Sequence, residues 1–257
     1  MKKFISTLVV SFIVFSFSPL YGQKTLLGLK GGISIPNLTS GGSDQNPLNT
    51  GYSSRLGGDA ALFVQFNLSK VCSLQPMVEY SAQGGKKNGM QAFPTPTAFE
   101  AYFPPGNAPT YLYANYKSVA KLDYLLVPVL VKFGWDLGKQ SPYRFYFDAG
   151  PFVGFLLEGK QVTSGSSNIY ADPAGQQPLT SSPQSFDNTD NIKSQLHSTN
   201  FGAEANIGFS YHTGNILLFL EGGGNYGFLN IQKGTANGRN NTGAGTLTAG
   251  IEFSLGK

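Results

Sequence analysis

The chain has a single cysteine, Cys72, among its 257 residues. A lone thiol cannot form an internal disulfide, and nothing around Cys72 indicates a redox or metal role. Histidine is almost as scarce, with His197 and His212 as the only two. No group of residues has the spacing of metal ligands, and no motif predicts a cofactor. The sequence therefore predicts neither a metal site nor a cofactor site.

Charged residues are the second shortage, because they make up only 12% of the chain. The usual share is about 25%, and a soluble domain of this length needs more charge on its surface. Hydrophobic residues, at 40%, are frequent enough to build an ordered domain. The composition thus favours a folded protein that exposes part of its apolar surface to lipid.

The N-terminus carries an apolar run, Phe4–Phe17, after Lys2 and Lys3 and before small residues that end at Gly22. This pattern predicts a secretory signal peptide over residues 1–22, with the mature domain over 23–257. The run is shorter than the roughly 20 residues that a membrane-spanning helix needs. Cleavage would lower the net charge from +4 to +2, since two of the 18 basic residues would be lost against 14 acidic ones. The pI near 9.0 therefore gives little support to a nucleic-acid partner.

Eight segments alternate, some less cleanly than others, between apolar and polar residues, which is the period of a β-strand. One face is almost purely aliphatic and aromatic and includes Val64, Ala203 and Ile207, whereas the other carries small residues and isolated charges. Beyond the signal, no stretch is long and apolar enough for a spanning helix, so only a closed barrel could cross a membrane. We therefore predict an all-β fold, an eight-stranded antiparallel transmembrane β-barrel. Its predicted strands are Leu26–Ile35, Arg55–Asn67, Cys72–Gln83, Leu122–Phe133, Tyr143–Glu158, Phe201–Tyr211, Ile216–Ile231 and Thr246–Ser254.

The gaps between these segments are alternately long and short. Bacterial barrels have long extracellular loops and short periplasmic turns. The pattern predicts a bacterial outer-membrane location, contact with outer-membrane lipid and both termini in the periplasm. The long gaps are Pro36–Ser53, Gly84–Tyr116, Lys160–Ser198 and Gln232–Gly243, and the short gaps are Leu68–Lys70, Gly134–Pro142 and His212–Gly214.

Four short motifs carry a family resemblance: GLKGGIS at Gly28–Ser34, YLLVPVLVKF at Tyr124–Phe133, GPFVGFLL at Gly150–Leu157 and LTAGIEFSLGK at Leu247–Lys257. With these motifs the chain resembles the small outer-membrane β-barrel family of Bacteroidota that includes the PorT secretion protein. The resemblance spans the mature chain and implies the barrel fold, the outer membrane and a role in protein secretion. Leu126 stands where that family often has an acidic residue.

Motifs for enzymatic chemistry are weak. Gly222, Gly224 and Gly227 match a dinucleotide-binding pattern, but no helix follows to hold a pyrophosphate. Glycine at these positions is better explained by crowding inside a narrow barrel. On the predicted topology His197 and His212 lie at opposite ends of the barrel, so they cannot share one active site. The sequence predicts a non-enzymatic protein, with a lipid-modifying enzyme as a less favoured alternative.

Nine charged residues fall on the inward-facing side of the predicted strands. Eight strands leave an interior that side chains nearly fill, so these groups must pair with one another or bind trapped water. Two interpretations stay open: a packed ionic core, which we favour, and a narrow ion or proton pathway. The nine residues are Lys30, Asp59, Glu79, Lys132, Arg144, Asp148, Glu204, Glu221 and Glu252.

Aromatic residues are concentrated in the second long gap, Gly84–Tyr116, among several prolines. An exposed aromatic cluster can mark a binding surface, but a loop of this kind can also fold down and cap the barrel. The sequence leaves these two interpretations equal. The residues are Phe93, Phe99, Tyr102, Phe103, Tyr111, Tyr113 and Tyr116.

Together these features predict a binding, assembly or structural component of the outer membrane. The resemblance implies an envelope or secretion-system protein as its partner. The alternative function is a narrow transport channel.

Overall fold

The computed structural model describes residues 25–40, 46–234 and 238–255. The predicted signal peptide, residues 1–22, lies outside the described residues. No helix in the described part of the chain is long and apolar enough to cross a membrane.

The described residues form eleven β-strands, one short α-helix and one 3₁₀ helix. Eight long strands build the wall, and the three shortest strands lie in one connection. The elements in chain order are β1 (Thr25–Ser40), β2 (Gly57–Asn67), β3 (Cys72–Pro94), α1 (Thr97–Glu100), β4 (Tyr111–Asp136), β5 (Tyr143–Ser164), β6 (Ser166–Ser167), β7 (Gln184–Ser185), β8 (Asn188–Asn191), the 3₁₀ helix (Lys193–Gln195), β9 (Thr199–Thr213), β10 (Ile216–Gly227) and β11 (Asn240–Leu255).

The eight long strands close into a ring in which every neighbouring pair is antiparallel. Its order is β1, β2, β3, β4, β5, β9, β10 and β11, and β11 returns to β1. The closing pair runs without a break from Thr25 opposite Leu255 to Ser40 opposite Asn240. Closure gives every wall strand a neighbour on both sides and leaves no free sheet edge along the ring. The predicted eight-stranded antiparallel barrel is confirmed.

The second connection differs from the sequence prediction, which treated Gly84–Tyr116 as a loop. β3 and β4 pair from Cys72 opposite Phe133 to Pro94 opposite Tyr111, so most of the predicted loop is a β-hairpin. Only residues 95–110 connect the two strands. β5 likewise continues past the predicted Glu158 to Ser164, and β8 pairs with it there.

The two barrel faces have opposite chemistry. On the outward face Ile207 and Phe209 are 59% and 58% exposed. On the inward face Asn206 and Glu204 are 3% and 4% exposed. Aromatic side chains form pairs toward the end with the short turns, as in Tyr143 with Tyr211, which is the arrangement of an interfacial girdle. Ile207 and Phe209 therefore face outward, and Asn206 and Glu204 face the interior.

Candidate functional site

Lys30 of β1 lies at the centre of a buried cluster of carboxylates. Its Nζ lies 3.0 Å from Oε1 of Glu221 and 3.4 Å from Oε1 of Glu204. Oε2 of Glu79 is 3.7 Å away. The three glutamates come from β10, β9 and β3, so one lysine joins strands from several sides of the ring. All four side chains are at most 4% exposed.

Asp148 and Asp59 extend the acidic side of this cluster. Asn206 Nδ2 donates to Oδ1 of Asp148 and to Oε1 of Glu204, both at 2.9 Å. Asp59 of β2 is 4% exposed and is therefore a further buried carboxylate. The interior thus holds more carboxylates than cations.

Lys132 of β4 occupies a second cluster nearer the short turns. Its Nζ lies 3.3 Å from Oε1 of Glu252 and donates to Oε1 of Gln65 at 3.1 Å. Three aromatic rings surround the same ammonium group, with centroids between 4.1 and 6.0 Å from Nζ. Such rings attract a cation through their negative faces. The three rings are Phe63, Tyr146 and Phe219.

Each of these three rings lies over a glycine directly opposite on the neighbouring strand. Phe63 faces Gly28, Phe219 faces Gly250 and Tyr146 faces Gly208. A Cβ atom at any of the three glycines would lie 2.2 to 2.4 Å from the facing ring, closer than van der Waals contact permits. Glycine therefore leaves the space that the rings need inside the narrow barrel.

Two apolar layers cross the interior. The upper layer, on the long-loop side, contains Leu38, Ala120, Leu122, Tyr124, Leu126, Phe152, Leu156, Leu196 and Ile231. The lower layer contains Ala61, Phe63, Met77, Leu130, Tyr146, Leu217 and Phe219. Members of the lower layer come from five strands, and the Lys30 cluster lies between the two layers. These layers were not predicted from the sequence, because the alternation pattern indicated an inward face of small residues and isolated charges.

The structure places Arg144 apart from the other eight inward charges. Its guanidinium binds Asp136 at 3.0 Å and donates to the backbone carbonyls of Lys70 and Gly134. These partners lie at the short-turn end, where a cavity of about 440 Å³ opens. Lys132 and Glu252 also line this cavity. Arg144 is therefore a residue of the rim, while the other eight are at most 7% exposed.

The β3–β4 hairpin projects beyond the rest of the ring at the long-loop end. From Tyr80, which is 40% exposed on the outer face, β3 continues to Pro94, a length of about 45 Å of extended strand. At its tip, residues 95–110 contain only one charged residue, Glu100.

The predicted aromatic set divides into two groups. Phe186 of the third long connection stacks on Tyr116 at 4.7 Å and meets Phe93 edge-on at 5.8 Å, so these rings join the hairpin to that connection. At the tip, Phe99 and Tyr102 stack on each other at 5.5 Å, and Tyr102 is 60% exposed. Tyr111 and Tyr113 begin β4 and are partly buried, and Phe103 lies in the connection. One group thus packs within the protein and the other faces outward.

The two histidines lie at opposite ends of β9. His197 precedes the strand and donates its backbone N–H to Ile231, whereas His212 lines the cavity at the short-turn end. Gly224 and Gly227 are part of strand β10, where a Cβ would lie 2.5 Å or less from neighbouring atoms. A Cβ at Gly222 would lie 3.9 Å from Leu247 and 4.0 Å from Thr246, which are ordinary contact distances. Within the described ranges no group of His, Cys, Asp and Glu side chains is arranged to hold a metal.

In a comparison with protein families, the model described as outer membrane protein beta-barrel domain matches residues 21–233. Strand β11 lies beyond the matched range but completes the ring. Comparison with curated protein sequences finds no match.

Several solved barrels have similar folds. Neisserial surface protein A (NspA) is 16% identical, with 89% of this chain and 97% of that chain covered and a TM-score of 0.41. Ail, the attachment invasion locus protein of Yersinia pestis, solved with the heparin analogue sucrose octasulfate, is 10% identical, with 90% and 99% covered and a TM-score of 0.35. The Escherichia coli outer membrane protease OmpT is 11% identical, with 91% and 96% covered and a TM-score of 0.29.

Proposed function

Because the chain belongs to the outer membrane protein β-barrel domain family and is integral to the bacterial outer membrane, we propose that it acts there as a non-enzymatic binding or assembly component. The β3–β4 hairpin tip is its contact surface. The observation that carries this proposal is the stack of the partly buried Phe99 with the exposed Tyr102 at the end of a long hairpin. Long loops of bacterial barrels face the exterior, so the tip is held away from the membrane surface.

The chemistry of the tip suits a protein partner. Aromatic side chains bury large areas at a small cost in rotamer entropy and so dominate many protein interfaces. Prolines at positions 96, 104, 105 and 109 restrict the tip further, which lowers the entropy that binding must overcome. The resemblance to the family that includes the PorT secretion protein supports an envelope or secretion-system protein as that partner.

Transport through the lumen is the alternative function. The interior offers little support for it, because both apolar layers lie in the path of a hydrated ion. A general diffusion pore is built from about 16 strands, twice the number in this ring. We therefore propose that the protein functions through its hairpin tip and not through its lumen.

The test replaces residues 96–109 with Asn-Gly, the sequence that best closes a two-residue hairpin. Thr95 already donates its backbone N–H to Thr110, so the shortened hairpin keeps its last pair. We expect a folded, heat-modifiable barrel that no longer recovers a partner in a pull-down from solubilised outer membranes. The control is Leu137→Asn in the β4–β5 turn, at the opposite end of the barrel, and it should keep the partner. Retention of the partner by the shortened hairpin would contradict the proposal.

A further inference from the structure

A cavity of about 350 Å³ opens at the long-loop end, directly above the upper apolar layer. Leu38, Leu122 and Leu196 form an apolar base, and the side walls come from β3, β4 and the third long connection. Pockets for small organic ligands generally measure about 300 to 1,000 Å³ and combine an apolar lining with a few placed polar groups. The cavity has the size of such a pocket, with the leucines at its base and mainly polar groups along the rest of its accessible lining.

Lys87 of β3 provides the cation in this cavity. The residue is 8% exposed, and its Nζ donates to the backbone carbonyls of Leu48 at 2.6 Å and Pro47 at 3.4 Å. The ring of Tyr52 lies 4.6 Å from the same nitrogen. All of these partners are formally neutral, and Lys87 forms no ion pair with any residue that the structure describes. Burial lowers the pKa of Lys87 to about 8, as expected for an ammonium group without an anionic partner.

The other titratable groups of the cavity do not neutralise Lys87. Burial raises the pKa of Tyr52 to about 12 and also raises the pKa of Tyr116, so both phenols are uncharged at neutral pH. Asp190 lies at the exposed rim, where its carboxylate accepts a hydrogen bond from Asn188 Nδ2 at 2.9 Å. Among the residues that the structure describes, the interior of the cavity therefore presents one cation without an ion pair, next to an apolar base.

We propose that this cavity binds an amphipathic organic anion, a carboxylate that carries an aliphatic chain. The carboxylate pairs with Lys87 Nζ, and the chain lies on Leu38, Leu122 and Leu196. A charge-assisted hydrogen bond in a partly buried site is stronger than one between neutral groups, and burial of the chain adds the hydrophobic contribution. This site is separate from the hairpin tip, so it does not depend on the function proposed for that surface.

The test uses sodium decanoate as the probe and the purified full barrel in dodecyl maltoside micelles. Isothermal titration calorimetry measures the heat of binding. We expect saturable binding at one site per barrel and a weakening of about tenfold in Lys87→Met, which removes the charge but keeps an apolar side chain. Lys86 is the matched control, because its side chain is exposed on the same strand. Lys86→Met should bind decanoate as the unmodified protein does.

A second comparison requires no variant, so it remains valid if Lys87→Met fails to fold. Decanol has the same chain without the charge, and we expect it to bind about tenfold more weakly than decanoate. Titration into empty micelles corrects for partition into detergent. The proposal is wrong if decanoate shows no saturable binding, if decanol binds as tightly, or if folded Lys87→Met keeps the full affinity.

Discussion

The hydroxyl of Tyr146 donates a hydrogen bond of 3.1 Å to Oε2 of Glu221. The ring of the same tyrosine lies 4.1 Å from Nζ of Lys132. Since Glu221 also binds Lys30, Tyr146 connects the two charge clusters across the lower apolar layer. The buried charges of the barrel therefore form one network, in which the loss of one member leaves another without a partner.

Tyr146→Phe should destabilise the barrel without changing its fold. The substitution keeps the ring over Lys132 but removes a hydrogen bond from the buried Glu221, at an expected cost of about 1 to 3 kcal/mol. Urea unfolding of the refolded barrel, followed by the fluorescence of Trp135, measures the change. Tyr143→Phe is the control, because Tyr143 is 56% exposed on the outer face. Equal unfolding midpoints for the two variants would show that the Tyr146–Glu221 contact contributes nothing.

Gly28→Ala tests the pairing of aromatic rings with glycines. A Cβ at Gly28 would lie 2.2 Å from the ring of Phe63, so the ring must shift and the cage around Lys132 must open. Overpacking of this kind costs about 1 to 3 kcal/mol. At Gly31, on the same strand, a Cβ would lie 3.8 Å from its nearest neighbour, the backbone oxygen of Asp59, so Gly31→Ala should change the unfolding free energy little. If both variants unfold at the same urea concentration, the stability of the barrel does not depend on glycine opposite the ring of Phe63.

Ile207→Arg tests the assignment of the outward face to lipid. Ile207 is 59% exposed, and an arginine in the middle of the lipid-facing band costs about 2 to 4 kcal/mol. Leu137→Arg is a matched control at 53% exposure, since Leu137 lies in the turn between β4 and β5. Insertion into lipid vesicles, measured by heat-modifiable mobility, should fall for Ile207→Arg only. Similar insertion of both variants would place Ile207 outside the lipid.

The purified barrel should show no steady conductance in planar lipid bilayers, because two clusters of buried apolar side chains pack inside the narrow barrel. Reproducible single-channel steps that change in Glu79→Ala would show that ions pass the Lys30 cluster. Such steps would favour the transport alternative over a packed ionic core.

Decanoate affinity should depend on pH through Lys87. Its ammonium group is charged below a pKa of about 8, so binding should be full at pH 6 to 7 and should fall about tenfold by pH 9. Tyr52 and Tyr116 remain protonated over this range, because burial raises both of their pKa values. Calorimetric titration at several pH values provides the measurement. A flat profile, or one that rises with pH, would exclude Lys87 as the group that holds the carboxylate.

The sequence predicted the membrane-embedded strands well because lipid on one side and a packed interior on the other impose alternation. That signal fades where β3 and β4 leave the membrane. Gly84–Gly89 is polar and glycine-rich, since no lipid-facing residues are needed in this part of the hairpin. The alternation is also weak in β4, where Leu122, Leu126 and Leu130 are buried inside the barrel while valines face outward.

The interior network could be predicted only in part. Alternation indicates which face carries Lys30, but it gives no information on which glutamates lie within reach, because that depends on the register of several strand pairs. Alternation also assigned Arg144 to the interior, because it shows the face of a residue but not its distance from the strand end. Arg144 is the second residue of β5, so its side chain reaches the rim. The upper cavity around Lys87 had no sequence signal at all, since its walls come from segments far apart in the chain.

Site-specific photocrosslinking in intact outer membranes is the most direct test of the hairpin tip as the contact surface. A photoreactive phenylalanine analogue replaces Tyr102 at the exposed tip, and a second variant carries it at Tyr143, which is similarly exposed at the short-turn end. The account predicts a discrete protein adduct from position 102 that is absent from position 143 and is lost when the partner recovered in the pull-down is deleted. No adduct at position 102, or the same adduct from both positions, would contradict it.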